Sequence, residues 1–320
     1  MNLFRLKLRP SSPWRTPWQA DTLAGMLCWA CARREGGDAL WQEILEPALN
    51  REPKFVLSDA FPGDLLPVPE FVRLATWPEN QRKIVRKARW LKPNAFHRAQ
   101  SGESLDFEDL AASDPVKTHA QTRNQIDRLT DTTGEGGKLF TLPENWLGEK
   151  RDVQDGTTYL SVYVRVAEGF EKRLMALFRE LAQTGFGADA SVGKGQFDLV
   201  SDLEPMEQPD NIAEPNGVIS LSTFQPDEHD PTDGGWQAFT KFGKLGPDFG
   251  LENVFKRPLL MLRPGAFFRV EKRAPFLGRA IPGKDLLSPE VWRQLQTRNA
   301  TVAHLAFGLA VPIKLPKGSK

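Results

Sequence analysis

A glycine-rich segment, GFGADASVGKGQF, contains the residues whose types and spacing are best suited to chemistry. The glycine loop, residues 185–195, combines four glycines with a hydroxyl and an amine: Gly185, Gly187, Gly193, Gly195, Ser191 and Lys194. So many glycines are costly unless the backbone needs unusual dihedral angles or must closely approach another group. Phosphate is the usual ligand of such loops, because successive exposed N–H groups bind an anion and a lysine adds positive charge. The segment therefore predicts a phosphate site, with a mobile surface loop as the alternative.

The spacing of the glycine loop argues against a nucleotide hydrolase. A Walker A loop needs the pattern G-x4-G-K-[ST] between a strand and a helix, with its hydroxyl on magnesium. Here five residues separate Gly187 from Gly193, and Gly195 stands where the hydroxyl residue would be. The loop also runs from a predicted helix to a predicted strand. We therefore expect no ATP hydrolysis at Lys194.

A basic segment that begins at residue 82 mixes cations with aromatic rings. Its members are Arg82, Lys83, Arg86, Lys87, Arg89, Lys92 and Arg98, with Trp90, Phe96 and His97 between them. Cations neutralise phosphates and aromatic rings stack on unpaired bases, so the mixture suits single-stranded nucleic acid. A solvated basic helix face would have the same composition, and both interpretations stay open.

A third segment, TRNQIDRLTDTTGEGGKLF, places Arg123, Asn124 and Arg128 among turn-forming and hydroxyl residues. The planar guanidinium of arginine suits both phosphate oxygens and base edges. These three residues are further candidates for nucleic-acid contacts.

Residues for catalysis or metal binding are sparse. The four histidines, at positions 97, 119, 229 and 304, have neither metal-pair spacing nor a recognisable Ser/His/Asp or Cys/His setting. Cys28 and Cys31 lie in an apolar helical stretch without a second pair, so we expect both to be buried, and we expect no metal or cofactor. Metal-independent RNA cleavage needs a general acid and base near the phosphate, and His97 and His119 are the candidates next to basic sequence.

The predicted elements place the glycine loop in a mixed α+β fold. Residues 3–8 alternate between apolar and basic side chains, which predicts a half-buried strand. Asp21 is a good N-cap for a helix that runs to about residue 34. The clearest strand covers residues 159–166, and a helix that ends at Gly185 follows it. The order strand, helix, hairpin, strand, helix, strand is that of ferredoxin-like domains.

The remaining segments predict a large insertion and a second domain. Residues 69–156 have weak periodicity and many turn formers, and we interpret them as an insertion into the first domain. The acidic stretch 201–216 has the composition of a linker, and strands predominate after it. A length of 320 residues exceeds what one hydrophobic core usually serves, which favours two domains.

Composition and charge narrow the class of protein. The formal net charge of +1 argues neither for nor against a polyanionic partner, because nucleic-acid binding depends on where the basic residues lie. No apolar run approaches the roughly 20 residues that span a bilayer. The opening residues MNLFRLKLRP contain no signal-peptide pattern, so we expect a cytoplasmic protein that makes no membrane contact.

Six motifs in chain order resemble the repeat-associated RNA-binding (RAMP) superfamily of CRISPR-Cas systems, and within it the family of guide-capping fourth subunits of type III-A Csm complexes. The motifs are QADTLAG (19–25), FVLSDAFPGDLLPVP (55–69), RKIVRKARWL (82–91), RNQIDRLTDTTGEGGKLF (123–140), the glycine loop with its flanks, and PLLMLRPGAFF (258–268) with FGLAVPI (307–313). Ala20 stands where the family has a serine.

The resemblance implies two ferredoxin-like (RRM-like) domains, residues 1–203 and 204–320, with an inserted thumb or hairpin segment at about 69–156. It implies a non-catalytic subunit that binds the repeat-derived 5′ handle of the guide RNA (crRNA) in antiviral defence. Handle contacts are expected from residues 187–195 and from Arg123 and Arg128, and Lys/Arg contacts to the guide from the thumb. The expected protein partners are the large polymerase-like subunit and an adjacent backbone RAMP subunit. The alternative within the superfamily is a metal-independent endoribonuclease that processes the repeat transcript.

Overall fold

The computed structural model describes residues 1–124, 139–148, 158–251 and 255–315. The strands are β1 Asn2–Pro10, β2 Phe55–Leu57, β3 Phe61–Pro62, β4 Leu66–Pro67, β5 Trp90–Leu91, β6 Val116–Asn124, β7 Leu139–Leu147, β8 Leu160–Val166, β9 Phe197–Leu199, β10 Glu204–Pro205, β11 Gly217–Ser220, β12 Gly234–Gly235, β13 Ala238–Lys241, β14 Leu259–Leu262, β15 Phe267–Arg269, β16 Phe276–Pro282 and β17 Ala303–Ile313. The helices are α1 Ala20–Glu35, α2 Gly37–Leu40, α3 Glu46–Leu49, α4 Glu70–Leu74, α5 Glu79–Lys87, α6 Pro93–Gln100, α7 Glu171–Thr184, α8 Gly283–Leu286 and α9 Pro289–Thr297, with a π-helical turn at Trp41–Leu45. The predicted α+β class is confirmed.

The first sheet is antiparallel and is centred on β1 and β8. These two strands pair from Asn2 opposite Val166 to Leu8 opposite Leu160. β9 and β10 pair with the other edge of β1, while β2 and β3 pair with the other edge of β8. The alternation predicted for β1 is confirmed, because its leucines are buried while Arg5 and Lys7 both pair with Glu204 on β10.

The predicted N-cap of α1 is wrong. The helix begins at Ala20, one residue before Asp21, and Asp21 is buried in the first turn. The carboxylate of Asp59 takes the capping role, since the backbone N–H of Ala20 donates to it at 2.8 Å. Asp21 instead forms an ion pair with Lys241 of β13, a long-range contact that propensity cannot reveal.

The second half of the chain forms another antiparallel sheet, in the order β12, β15, β11, β17, β16. The predicted final strand is confirmed as β17, which is buried over nearly all of its length. One hydrophobic cluster includes residues from both sheets, and two smaller clusters lie in the second half. β8 is buried on both faces because β17 lies against it. The proposed domain boundary at residue 203 stays a prediction.

The stretch 201–216, which the sequence suggested as a linker, has regular structure. It contains β10 and a 3₁₀ turn, Gln208–Asp210, that packs against β17. The guanidinium of Arg165 on β8 bonds both carboxylate oxygens of Asp210 and the carbonyl oxygen of Ala310. Because the Arg165 side chain is only 4% exposed, this segment closes over a buried charge.

The described residues between 69 and 148 contain three α-helices, α4 to α6, and a long hairpin. α6 contributes Phe96 to the main core, and α5 buries Val85. β6 and β7 pair from Val116 opposite Leu147 to Asn124 opposite Leu139. In the described ranges, none of the helices has the length and apolar character needed to traverse a bilayer.

Candidate nucleic-acid interface

The loop between β1 and α1 holds the hairpin and the glycine loop on its two sides. The backbone N–H of Gly195 donates to the carbonyl oxygen of Pro13 at 2.8 Å. On the opposite side, Trp14 and Asn145 of β7 exchange two backbone hydrogen bonds, at 3.0 and 2.8 Å. Residues 11–18 therefore tie β7 and the glycine loop to each other.

Close backbone packing explains two of the loop glycines. At Gly187, where φ is +81°, a Cβ atom would lie 2.5 Å from the Cβ of Thr16. At Gly195, where φ is +65°, a Cβ atom would overlap the carbonyl oxygen of Phe186. The dense glycines thus allow the loop to fold tightly against its neighbours, which is one of the two reasons expected from the sequence.

Most loop amides are already bonded within the protein. The donors that have a protein acceptor are the backbone N–H groups of Gly185, Phe186, Ala188, Val192, Gly193, Lys194 and Gly195. Ser191, Val192 and Gly193 are exposed at the end of the loop. An anion nest of successive free amides, which the sequence suggested, therefore does not extend along the loop. Positive charge at this site comes mainly from side chains.

Three cations from three separate segments meet at the glycine loop. Arg15 donates to Asp189 at 2.7 Å, and Arg123 of β6 donates to the same carboxylate at 3.2 Å. Arg123 also donates to Glu144 of β7 at 3.1 Å, and the Lys194 amine donates to Glu144 at 2.9 Å. The hydrogen bond and charge of Arg15, with those of Arg123, hold the pKa of Asp189 below its usual value. Three positive charges against two negative ones leave an excess of one.

The structure brings together only some of the predicted site residues. Lys194 and Arg123 contact the same carboxylate, and Asn124 lies exposed at the end of β6. Arg128 lies outside the described residues. Arg15, Glu144 and Asp189 were missed, because nothing in their local sequence distinguishes them from other surface charges. The W-R-T sequence at residues 14–16, in a proline-rich loop, carries no motif.

The basic residues of α5 form a separate surface. Arg82, Lys83, Arg86 and Lys87 are exposed, while Val85 between them is buried. Within the part of the chain that the structure describes, none of the four forms an ion pair, and no hydrogen bond joins α5 to the glycine loop. The other cations of this basic segment are engaged: Arg89 pairs with Asp114, for example. α5 thus presents four exposed cations, and their contact with nucleic acid stays a prediction.

The histidines that the sequence offered as acid and base lie on different elements. His119 is exposed on β6 opposite Glu144, whereas His97 lies on α6 and is half-buried. No hydrogen bond or ion pair among the described residues links them. His304 is buried on β17, where its Nδ1 lies 3.2 Å from the amine of Lys256.

A buried charge cluster joins α1 to the second half of the chain. The Lys241 amine donates to Asp21 at 2.8 Å, and Nε2 of His304 lies 3.0 Å from the other oxygen of Asp21. Burial alone would raise the pKa of Asp21, but His304 and Lys241 outweigh it and hold that pKa far below its usual value. Burial lowers the pKa of Lys256 to about 8. Burial, with the charge of Lys256, also lowers the pKa of His304.

One group of potential metal ligands occurs among the described residues, and an arginine already fills it. The ligand atoms of Cys31, Glu35 and Glu43 all lie within 4.8 Å of one another. The Arg173 guanidinium contacts the sulfur of Cys31 at 3.4 Å and a carboxylate oxygen of Glu43 at 2.9 Å, and it pairs with Glu35. The arginine supplies the positive charge that a metal ion would otherwise bring.

Comparison with solved structures identifies the fold as that of a subunit of Csm effector complexes. A chain from the crystal structure of a Csm1-Csm4 cassette in complex with cA4 superposes with a TM-score of 0.63 at 18% identity, over 99% of this chain and 100% of that one. A chain from the cassette in complex with pppApA gives 0.62 at 19% identity, with the same coverage.

The fold matched is that of Csm4, the component that these cassettes share with a third structure. A chain from the Csm3-Csm4 subcomplex in the type III-A CRISPR-Cas interference complex gives a TM-score of 0.58 at 12% identity, over 97% of this chain and 99% of that one. The chain therefore has the Csm4 fold over its whole length, as the sequence motifs indicated. No protein-family model matches the sequence, and no curated protein matches it.

Proposed function

We propose that this chain is a non-catalytic RNA-binding subunit of a type III CRISPR effector complex, and that it holds the 5′ handle of the guide RNA. The observation that carries the proposal is the convergence of Arg15, Arg123 and Lys194 at the glycine loop. Each cation comes from a different segment, so the fold has to assemble the positive charge at this place. Phosphate oxygens are the ligands that such a cluster of guanidinium and amine groups fits.

An exposed aromatic ring beside the cations supports an unpaired nucleic acid. Phe140 of β7 lies directly opposite Arg123 in the hairpin register, and Phe140 is 43% exposed. Residues that are directly opposite in an antiparallel pair project from the same face. A base could therefore stack on Phe140 while its phosphate contacts the arginine, the combination typical of single-strand binding.

The exposed face of α5 supports a second contact with the RNA backbone. Its four cations have no described ion partner, so phosphates would not have to displace carboxylates there. In our proposal, Arg82, Lys83, Arg86 and Lys87 contact the guide at the boundary of the handle. Each phosphate neutralised by such a cation releases counterions and makes binding depend on salt.

We further propose two ferredoxin-like domains, residues 1–203 and 204–320, with the thumb at 69–156. The first sheet supports this division, because its main path runs β10, β1, β8, β2. With β10 counted as the fourth strand and β8 as the third, this is the arrangement expected of a split β-α-β unit. By analogy with the solved Csm1-Csm4 and Csm3-Csm4 complexes, the protein partners would be a large polymerase-like subunit and an adjacent backbone RAMP subunit. We also propose that the subunit is located in the cytoplasm.

The alternative is a repeat-processing endoribonuclease, and the position of His119 gives it a specific basis. His119 shares a hairpin face with Glu144 and Arg123, so an imidazole and a carboxylate lie beside a cation. Incubation of the purified chain with repeat RNA in EDTA separates the two functions. A binding subunit leaves the RNA intact, whereas specific cleavage that His119→Ala abolishes would establish the nuclease.

The binding proposal is tested by filter binding of handle RNA over a salt series. We expect Lys194→Ala and Arg123→Ala each to weaken binding and to reduce the slope of log K against log[salt] by about 1. Arg179→Ala is the matched control, because Arg179 is an exposed cation on α7 whose ion pair, within the described ranges, is with Asp202. Affinity that barely changes between low and moderate salt would contradict the proposal.

A further inference from the structure

Two carboxylates already occupy the cation cluster at the glycine loop. The Glu144 side chain is only 5% exposed and accepts hydrogen bonds from Arg123 and Lys194. Asp189 accepts from Arg15 and from Arg123. Each carboxylate thus bridges two cations that come from different segments of the chain.

These contacts connect the hairpin to the glycine loop. Arg123 and Glu144 belong to the hairpin of β6 and β7, whereas Asp189 and Lys194 belong to the loop. The ion pairs Arg123–Asp189 and Glu144–Lys194 cross between the two at 3.2 and 2.9 Å. We call the five residues Arg15, Arg123, Glu144, Asp189 and Lys194 the ionic latch. The latch links the hairpin to the loop.

We propose that Glu144 and Asp189 stand in for RNA phosphates, so that a bound sugar-phosphate strand replaces the carboxylates and releases the latch. The inference rests on the proposed function and adds a mechanism of regulation to the same site. Carboxylate and phosphate both present paired oxygens that match the guanidinium fork, so one can exchange for the other on the same cation. Removal of a competing carboxylate should therefore strengthen RNA binding.

The exchange of carboxylate for phosphate predicts the direction in which the affinity for RNA changes when the latch is weakened. If RNA binds the open latch better than the closed one, RNA shifts the chain toward the open form. By reciprocity, a substitution that weakens the closed latch raises the affinity for RNA. The two carboxylates would then hold the cations in place before the guide arrives and give them up to the phosphates as the guide is bound.

The backbone at Asp189 allows a substitution that removes charge without changing conformation. Asp189 has φ +64° and ψ +20°, in the left-handed region that few residues other than glycine, asparagine and aspartate adopt readily. Asp189→Asn therefore keeps the loop geometry and deletes only the negative charge. Glu144→Gln makes the same change on the hairpin and retains the shape of the side chain.

The test measures the affinity of the full-length chain for a fluorescent ten-nucleotide oligouridylate at fixed salt. We expect Glu144→Gln and Asp189→Asn each to bind about fivefold or more tightly than the unsubstituted chain. Asp202→Asn is the matched control, because it removes an exposed carboxylate that pairs with an arginine on α7. The control should change the affinity by less than about twofold. If Glu144→Gln perturbs folding, as judged by circular dichroism, Asp189→Asn carries the comparison.

Hydrogen exchange of residues 11–18 and 139–147 provides the second readout. When no RNA is present, these segments should exchange faster in Glu144→Gln than in the unsubstituted chain, because the substitution weakens the ion pair between Glu144 and Lys194. Unchanged or weaker affinity in both acid variants would overturn the latch proposal.

The cation variants separate failure of the latch from failure of the RNA site. If Arg123→Ala and Lys194→Ala weaken binding while the acid variants do not strengthen it, the RNA site stands and the latch proposal is wrong. If none of the four variants changes the affinity, the RNA site itself is misplaced, and the latch proposal fails with it.

Discussion

The buried pair of Asp21 and Lys241 gives the sharpest prediction for stability. Asp21 has no exposed side-chain surface, while Lys241 is 17% exposed and lies 2.8 Å away. Asp21→Asn leaves the lysine charge without its counter-ion in this partly closed site. Loss of one member of a buried ion pair costs about 3–5 kcal/mol of folding free energy.

The other ligands of the lysine set the expected value within that range. The Lys241 amine also donates to the side-chain oxygens of Gln19 and Thr22, at 2.7 and 2.9 Å. Because these neutral oxygens remain after the substitution, we expect Asp21→Asn to cost about 3 kcal/mol, near the lower limit. Removal of both charges in Asp21→Asn/Lys241→Met should cost less than the sum of the single changes, with a coupling of about 1–3 kcal/mol.

Urea unfolding followed by circular dichroism measures these free energies. Asp38→Asn, at an exposed position of α2, is the matched control and should stay within about 0.5 kcal/mol of the unsubstituted chain. A cost below about 1 kcal/mol for Asp21→Asn, or strict additivity in the double variant, would refute the reasoning. Either result would mean that the cluster does not fasten α1 to the second half of the chain.

Three further predictions concern the glycine loop and the pH dependence of stability. Gly195→Ala should lower the melting temperature far more than Gly193→Ala, because only the former places a Cβ against the carbonyl oxygen of Phe186, while both have positive φ; equal losses would contradict this. The folded-state pKa of Lys256 is about 8, below its ordinary 10.5. Because the unfolded chain binds this proton more tightly, the free energy of unfolding should rise as pH rises from 8 to 10.5. Lys256→Met should flatten that rise. Burial raises the pKa of Asp59 to about 6. The protonated carboxyl should therefore contribute stability that is present below about pH 4 and is lost as pH rises through 6. Asp59→Asn should remove this pH dependence of the unfolding free energy.

The sequence predicted the regular elements well where their pattern is local. Alternation identified β1 and β8, helical spacing identified α7, and the apolar run at the end identified β17. The short helices α4 to α6 were not predicted, because five to nine residues give too few turns for a helical period to be recognised.

The candidate site could be predicted only in part, because its charges meet through tertiary structure. Lys194 was identified from the composition of the glycine loop, and Arg123 from the turn-rich segment that contains it. Their common partner Glu144 is an ordinary residue of β7, and Arg15 reaches the site because the loop between β1 and α1 is hydrogen-bonded to the glycine loop. Asp21 was misassigned for the same reason, since its partner Lys241 lies far along the chain.

The most direct test of the central claim is ultraviolet crosslinking of the assembled complex with its guide RNA, followed by mass spectrometry of the crosslinked peptides. The proposed handle site predicts crosslinks from the 5′ handle in residues 185–195 and on the hairpin strands, with Phe140 among the modified residues. Handle crosslinks confined to other surfaces of this chain, with none on the glycine loop or the hairpin, would contradict it.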